Sequence, residues 1–166
     1  MTAKFLSGTA VAEATLNSVK ERTKVLKEKG INPGLGTILV GGDAASAGYV
    51  RKKHETCEQV GISSFNIEIA EDGTQEDLMA AIEEFNNNSE VDSYILQYPL
   101  PKQFDFNQAM AAMLPSKDAD GLHPENLGKL VLQEEGPLPC TPAGIVEILK
   151  HYNIDVGGKN VVIVGR

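Results

Sequence analysis

Gly36-Thr37-Ile38-Leu39-Val40 is a short apolar run between glycines, the pattern of a strand buried on both faces of a sheet. Two further strands follow it. Ser64-Phe65-Asn66-Ile67-Glu68-Ile69 alternates apolar and polar residues, and Ser93-Tyr94-Ile95-Leu96-Gln97 runs into Pro99-Leu100-Pro101. Between them lie helical patterns. Residues 44–60 are closed by Gly61, and Leu78, Ile82 and Phe85 mark the buried stripe of a helix opened by Thr74 and Asp77, which resemble a capping box. Strands alternating with helices predict parallel pairing through right-handed crossovers, an α/β fold with a three-layer parallel sheet.

Outward from this centre, residues 9–29 predict an amphipathic helix, with Val11, Leu16, Val19, Val25 and Leu26 mainly on one side and Gly30 as its stop. Downstream, the pattern predicts a helix near 106–113, a loop over 115–126, a helix over 143–152 and a strand over 161–164. Gly157-Gly158 precedes that last strand and reads either as a joint between two αβ units or as a plain turn.

The chain has 166 residues, 15 Lys plus Arg against 23 Asp plus Glu, and a formal charge of −8. That balance gives no electrostatic reason to bind nucleic acid or anionic lipid. No apolar run approaches the ~20 residues of a membrane-spanning helix. Two cysteines, Cys57 and Cys140, do not make a disulfide framework, so a reducing cytoplasm is expected. No His, Asp and Glu cluster has metal-ligand spacing, so no metal is expected. His54, His123 and His151 are read as surface or capping residues.

One lysine breaks the pattern. At roughly 100° per residue, Ser46, Tyr49, Val50, Cys57 and Val60 all fall within about 60° of Lys53, on the stripe that should face the core. Arg51, Lys52, His54, Glu55 and Glu58 lie to the side or behind. Burial lowers an ammonium's pKa, which suits proton transfer, and Tyr49 sits one turn away within hydrogen-bond reach. The alternative is a lysine whose stem lies along the stripe while its amine snorkels to water. Gln97 closes a strand where open α/β sheets bind ligands, although an amide there can equally satisfy nearby backbone. Asp118 and Asp120, in Lys117-Asp118-Ala119-Asp120-Gly121, read as a charged turn. Val161-Val162-Ile163-Val164-Gly165-Arg166 is by itself a weak dinucleotide signal, since the fingerprint needs more glycines and a helix start.

Five motifs in order resemble one family. They are Tyr49-Val50-Arg51-Lys52-Lys53 with Cys57-Glu58-Gln59-Val60-Gly61-Ile62, then Gln97-Tyr98-Pro99-Leu100-Pro101, then Pro115 through Pro124. Pro139-Cys140-Thr141-Pro142 and Gly158 through Arg166 complete the series. Together they resemble the bifunctional methylenetetrahydrofolate dehydrogenase/methenyltetrahydrofolate cyclohydrolase (FolD) family. The resemblance implies oxidation of 5,10-methylenetetrahydrofolate with NADP, NAD being the lesser alternative, and hydrolysis of the methenyl product to 10-formyltetrahydrofolate. It implies Lys53 as the catalytic lysine, Tyr49 stacking near the pterin and orienting it, Gln97 paired with it, and Asp120 gripping the pterin. Pro99 and Leu100 would line the folate pocket, Cys140 and Thr141 would lie where cofactor approaches folate, and Gly165 and Arg166 would open the NADP loop. By resemblance, residues 1–150 form the folate-binding catalytic domain with its linker helix. Residues 151–166 begin a Rossmann-type nucleotide domain, of which this length would hold only the first strand. The full-length protein would be a homodimer. Ala119 and Tyr98 depart from the family's usual residues and bear on affinity more than on reaction type. A non-catalytic folate-binding or dimerisation module is the reading from another class.

Overall fold

A computed structural model of the chain describes residues 3–164. Helix α1 (Thr9–Glu28) precedes β1 (Gly34–Val40), α2 (Ala44–Val60), β2 (Ser63–Ile69), α3 (Gln75–Asn87) and β3 (Ser93–Leu96). Helix α4 (Phe106–Ala112), a 3-10 turn (Pro115–Lys117), α5 (Pro124–Leu132) and α6 (Cys140–His151) follow. The three strands form a parallel sheet in the order β2-β1-β3. One crossover leaves β1 and the next passes back over it, so right-handed connections place α2 and α3 on opposite faces.

The side chains of β1 confirm that layering. Ile38 and Val40 join Leu78, Ile82 and Phe85 of α3 in the main core, with Tyr94 and Leu96 of β3, whereas the intervening Leu39 packs toward Ala47 and Val50 of α2. Gly36 lets the α3 layer come close, because a Cβ there would stand 2.8 Å from both Phe85 and Tyr94. Strand β2 forms one edge of the sheet, and its burial alternates along the strand, as its sequence predicts.

Local chemistry sets the element ends. Asp43 caps α2 by accepting from the Ser46 amide at 2.7 Å, and Gly61 closes it in the left-handed region. Thr74 and Asp77 make the reciprocal capping box.

Four expectations are corrected. The loop assigned to 115–126 holds the 3-10 turn and the start of α5. Pro124, which reads as a breaker, is the first helical residue, and His123 caps it by accepting from the Glu125 amide. Helix α6 starts at Cys140 rather than 143, because Pro142 lies in the first turn, where no amide donor is needed. The apolar stripe of α1 is shallow, since α1 packs on the outside of α2. Val25 is exposed and Thr23 is the buried residue of that helix. Finally, residues 161–164 form no strand and pair with none among the described residues, and Val162, Ile163 and Val164 are 86, 87 and 96% exposed. An apolar run becomes a strand only where a neighbour supplies the ladder. Around Gly157-Gly158 the chain makes a turn, with Gly158 at positive φ and the Lys159 amide bonded to Val156 O.

Candidate functional site

Lys53 lies on the inward side of α2, half-buried. A helical side chain leans toward the helix N terminus, and the Lys53 stem carries its ammonium to the end of β3. There Lys53 Nζ donates to Gln97 Oε1 at 2.7 Å. The orientation of Gln97 is set from behind. Its backbone amide bonds Ile38 O, continuing the β1–β3 ladder, and its Nε2 donates to Tyr98 O at 2.8 Å. The amide nitrogen is thereby engaged, and the oxygen is left for Lys53.

Burial pulls the Lys53 ammonium below the ordinary lysine range, while the nearby Asp120 carboxylate and Cys140 sulfur oppose the shift. Among the described residues no ion pair neutralises Lys53. The three salt bridges among the described residues are Lys52–Glu55, Lys129–Glu125 and Lys150–Glu147. A half-buried amine held by a neutral amide gives up its proton more readily than one locked to a carboxylate.

The loop that carries Asp120 is built by its neighbours. Lys117 Nζ donates to Phe85 O at 2.7 Å and Asn88 O at 2.8 Å, capping the open end of α3. Asp118 is 2% exposed and accepts from the amides of Asp120, Gly121 and His123 and from Asn126 Nδ2. The Ala119 amide bonds Tyr94 O, which ties the loop to β3. Of the two aspartates, Asp118 is therefore the architectural one. Among the described residues Asp120 makes no side-chain hydrogen bond to its own loop; its carboxylate instead faces the Cys140 thiol and stands within electrostatic range of Lys53.

Gly121 completes this arrangement at φ +68, and a Cβ there would meet the Leu138 carbonyl carbon at 2.4 Å. The strap leading into α6 rests on it. Cys140, the first residue of α6, places Sγ 3.5 Å from Ala119 O. Burial and the Asp120 carboxylate push its thiol pKa up. Lys53, Gln97, Asp120 and Cys140, drawn from four parts of the chain, thus form one cluster beyond the carboxyl end of β3.

The other sequence-derived residues stand around this cluster or apart from it. Tyr49 is 65% exposed and makes no hydrogen bond to Lys53, which donates to Gln97 instead. The expected Tyr49–Lys53 bond is not formed, because the phenol points out to solvent instead of along the helix. Pro99 is exposed at the rim, after a cis Tyr98–Pro99 peptide, and Leu100 packs against the core. Tyr98 is exposed and meets Phe106 edge-on at 5.3 Å. Thr141 is exposed beside Cys140, and Gly165 and Arg166 lie outside the described residues. Sequence reasoning missed Lys117, Asp118 and Asn126 as the builders of the loop. Their one sequence signal is a basic residue and an Asp just ahead of Asp120-Gly121.

Comparison with known proteins is consistent along the chain. The family described as tetrahydrofolate dehydrogenase/cyclohydrolase, catalytic domain, matches residues 6–120, and the NAD(P)-binding domain of the same family matches residues 139–166. The bifunctional protein FolD of Syntrophotalea carbinolica is 62% identical over all 166 residues of this chain, which spans 57% of that relative. The solved bifunctional enzyme FolD, methylenetetrahydrofolate dehydrogenase/cyclohydrolase, of Campylobacter jejuni superposes with TM-score 0.89 at 40% identity. That match covers 92% of this chain and 55% of the other. A Trypanosoma brucei methylenetetrahydrofolate dehydrogenase-cyclohydrolase, solved with NADP cofactor and an inhibitor, gives TM-score 0.89 at 34% identity, over 94% of this chain and 54% of the other. The chain therefore spans somewhat more than half the length of the relatives it matches.

Proposed function

The chain belongs to the tetrahydrofolate dehydrogenase/cyclohydrolase family, and from that premise we propose that it carries the folate side of one-carbon chemistry. Its substrates are 5,10-methylenetetrahydrofolate, oxidised to the 5,10-methenyl cation with NADP, and that cation, hydrolysed to 10-formyltetrahydrofolate. The observation that carries this reading is the 2.7 Å contact between a half-buried, pKa-lowered Lys53 and Gln97, with Asp120 in the same cluster.

Hydrolysis asks for water to attack the cationic one-carbon centre and for its proton to be taken up. Neutral Lys53 accepts that proton, Gln97 Oε1 holds the resulting ammonium in place, and the pKa lowered by burial keeps the neutral form accessible. Asp120 accepts hydrogen bonds from pterin N–H groups. Tyr49, Pro99 and Leu100 border the pterin, Tyr49 by stacking through its exposed ring.

NADP supplies hydride acceptance when bound. Among the described residues its fit is limited to Cys140 and Thr141, which border the folate cluster and would not by themselves hold a pyrophosphate. The cofactor assignment, including Gly165 and Arg166, is supported by the family match over 139–166 and by the NADP-bound relative. We assign residues 1–150 to the folate-binding domain, supported by the family match to the catalytic domain over residues 6–120 and by the packing of α6 on α1. Residues 151–166 are assigned to the start of the nucleotide-binding unit. A cytoplasmic setting is supported by the free thiols Cys57 and Cys140. Homodimerisation of the full-length protein and a supply role toward purine synthesis complete the proposal.

The test is hydrolysis of 5,10-methenyltetrahydrofolate without NADP, and oxidation of 5,10-methylenetetrahydrofolate with it. Hydrolysis by the parent chain that is lost in Lys53→Ala supports the reading. Equal rates in the two proteins sink the role of Lys53, and tetrahydrofolate binding with neither activity favours a binding module.

A further inference from the structure

Asp118 is a buried carboxyl group that forms no salt bridge among the described residues. All of its partners are N–H groups. Oδ1 accepts from the amides of Asp120 at 3.2 Å and Gly121 at 2.9 Å, while Oδ2 accepts from the His123 amide at 2.8 Å and Asn126 Nδ2 at 2.9 Å. Two of the three backbone donors are the amides of Asp120 itself and its successor, so the carboxyl group fixes the backbone from which the Asp120 side chain projects.

Asn126 shows that this arrangement is maintained against a cost. It is 1% exposed and donates both amide hydrogens, to Asp118 Oδ2 and to Pro115 O. Its own Oδ1 is buried without a partner among the described residues. A buried orphan oxygen is unfavourable, and it persists here because the site needs the donors of the amide. The same loop supports Cys140 through Ala119 O and the Leu138 strap through Gly121.

We propose that Asp118, held by Asn126, is the positioning residue of the folate site: it sets the place of Asp120 and acts on the substrate only through it. The inference rests on the folate reading of the cluster. Asp118→Asn tests it with no change of size, because whichever way the new amide turns, its NH2 faces two N–H donors. The loop then has to shift, and Asp120 with it.

The measurement is the dissociation constant of tetrahydrofolate by calorimetry, together with KM and kcat for 5,10-methenyltetrahydrofolate hydrolysis, on the parent, Asp118→Asn, Asp120→Asn and the double variant. Asp118→Asn is expected to weaken binding and raise KM about tenfold or more with a smaller change in kcat, close to the effect of Asp120→Asn. In the Asp120→Asn background it is expected to add less than about twofold, because both changes remove one interaction. Asn126→Ala removes one of the four donors to Asp118, together with the bond to Pro115 O, and is expected to weaken binding roughly twofold to fivefold. It carries the test should Asp118→Asn fail to fold by circular dichroism. Additive losses, or a folded Asp118→Asn or Asn126→Ala protein with parental affinity, overturn the proposal. If Asp120→Asn itself leaves affinity unchanged, or the parent binds no tetrahydrofolate, the folate reading of the cluster fails and this inference falls with it. If only Asp120→Asn weakens binding, the positioning role alone is lost.

Discussion

The α2 face around Lys53 and the loop around Lys117 contain the same residue types and use them in opposite ways. In the loop, the side chains of Lys117 and Asp118 have their hydrogen-bonding capacity filled by the protein. Lys117 closes two helix-end carbonyls, and Asp118 gathers three backbone amides and an asparagine. On the α2 face, Lys53 makes one bond to a neutral amide, and Asp120 stands near it with no ion pair formed. Residue type does not separate a scaffold from a site. What separates them is whether the protein fills the hydrogen-bonding capacity or leaves it for a ligand.

The sharpest break of this comparison is to exchange each lysine for methionine. Lys53→Met is expected to lower methenyltetrahydrofolate hydrolysis by ~10²-fold or more, the range typical of a lost general base. Its melting temperature should hold or rise by roughly 2–4 °C, since a desolvated amine is gone; a clear fall would move Lys53 into the scaffold. Lys117→Met should do the reverse. It orphans the Phe85 and Asn88 carbonyls and is expected to cost about 1–3 kcal/mol in a urea melt. The midpoint of the pH–rate profile should stay where it was, and a displaced midpoint would mean that Lys117 also serves the site.

A smaller effect sharpens the pH argument. Burial lowers the Lys53 pKa, so the active neutral form accumulates as pH rises, and hydrolysis should level off below the ~10.4 of a free lysine. Gln97→Met removes an acceptor of the charged form. The rising limb should then move to lower pH, with its plateau down by about tenfold or less as positioning loosens. A shift to higher pH would show that Gln97 does not stabilise the ammonium. For stability the sign is opposite to that of a paired lysine. The folded chain binds the Lys53 proton more weakly than the unfolded chain, so this group's contribution improves as pH climbs from the lowered value toward the unfolded one. The smallest effect is expected at Tyr98. Its ring is exposed and touches Phe106 edge-on, so Tyr98→Leu should change stability by about 0.5 kcal/mol or less and folate KM only a few-fold.

The sequence made one half of this contrast readable. The period of α2 put Lys53 on the wrong side of an amphipathic helix, and the Thr74–Asp77 box and the β1 run were local signals that the fold obeys. Gln97 could be placed at a strand end, but its meeting with Lys53 joins residues 44 positions apart and depends on how α2 lies across the sheet. The split between Asp118 and Asp120 was hidden for a similar reason. It depends on where the amides of residues 120–123 point, which only the folded loop defines. Helix α5 was missed because Pro124 serves equally as a breaker and as a first helical residue. The apolar run 161–164 shows the converse limit, since strand propensity without a neighbour yields no strand.

That run also governs the behaviour of the chain as a colloid. Val161–Val164 presents exposed, uncharged, β-branched side chains in a chain whose sheet also has an open β2 edge, the kind of segment that recruits copies of itself. Mutual repulsion from a formal charge of −8 opposes such encounters at low ionic strength and is screened as salt is added. Light scattering should therefore grow with sodium chloride and with acidification toward the isoelectric point, and Ile163→Lys should suppress that growth without touching the folate cluster.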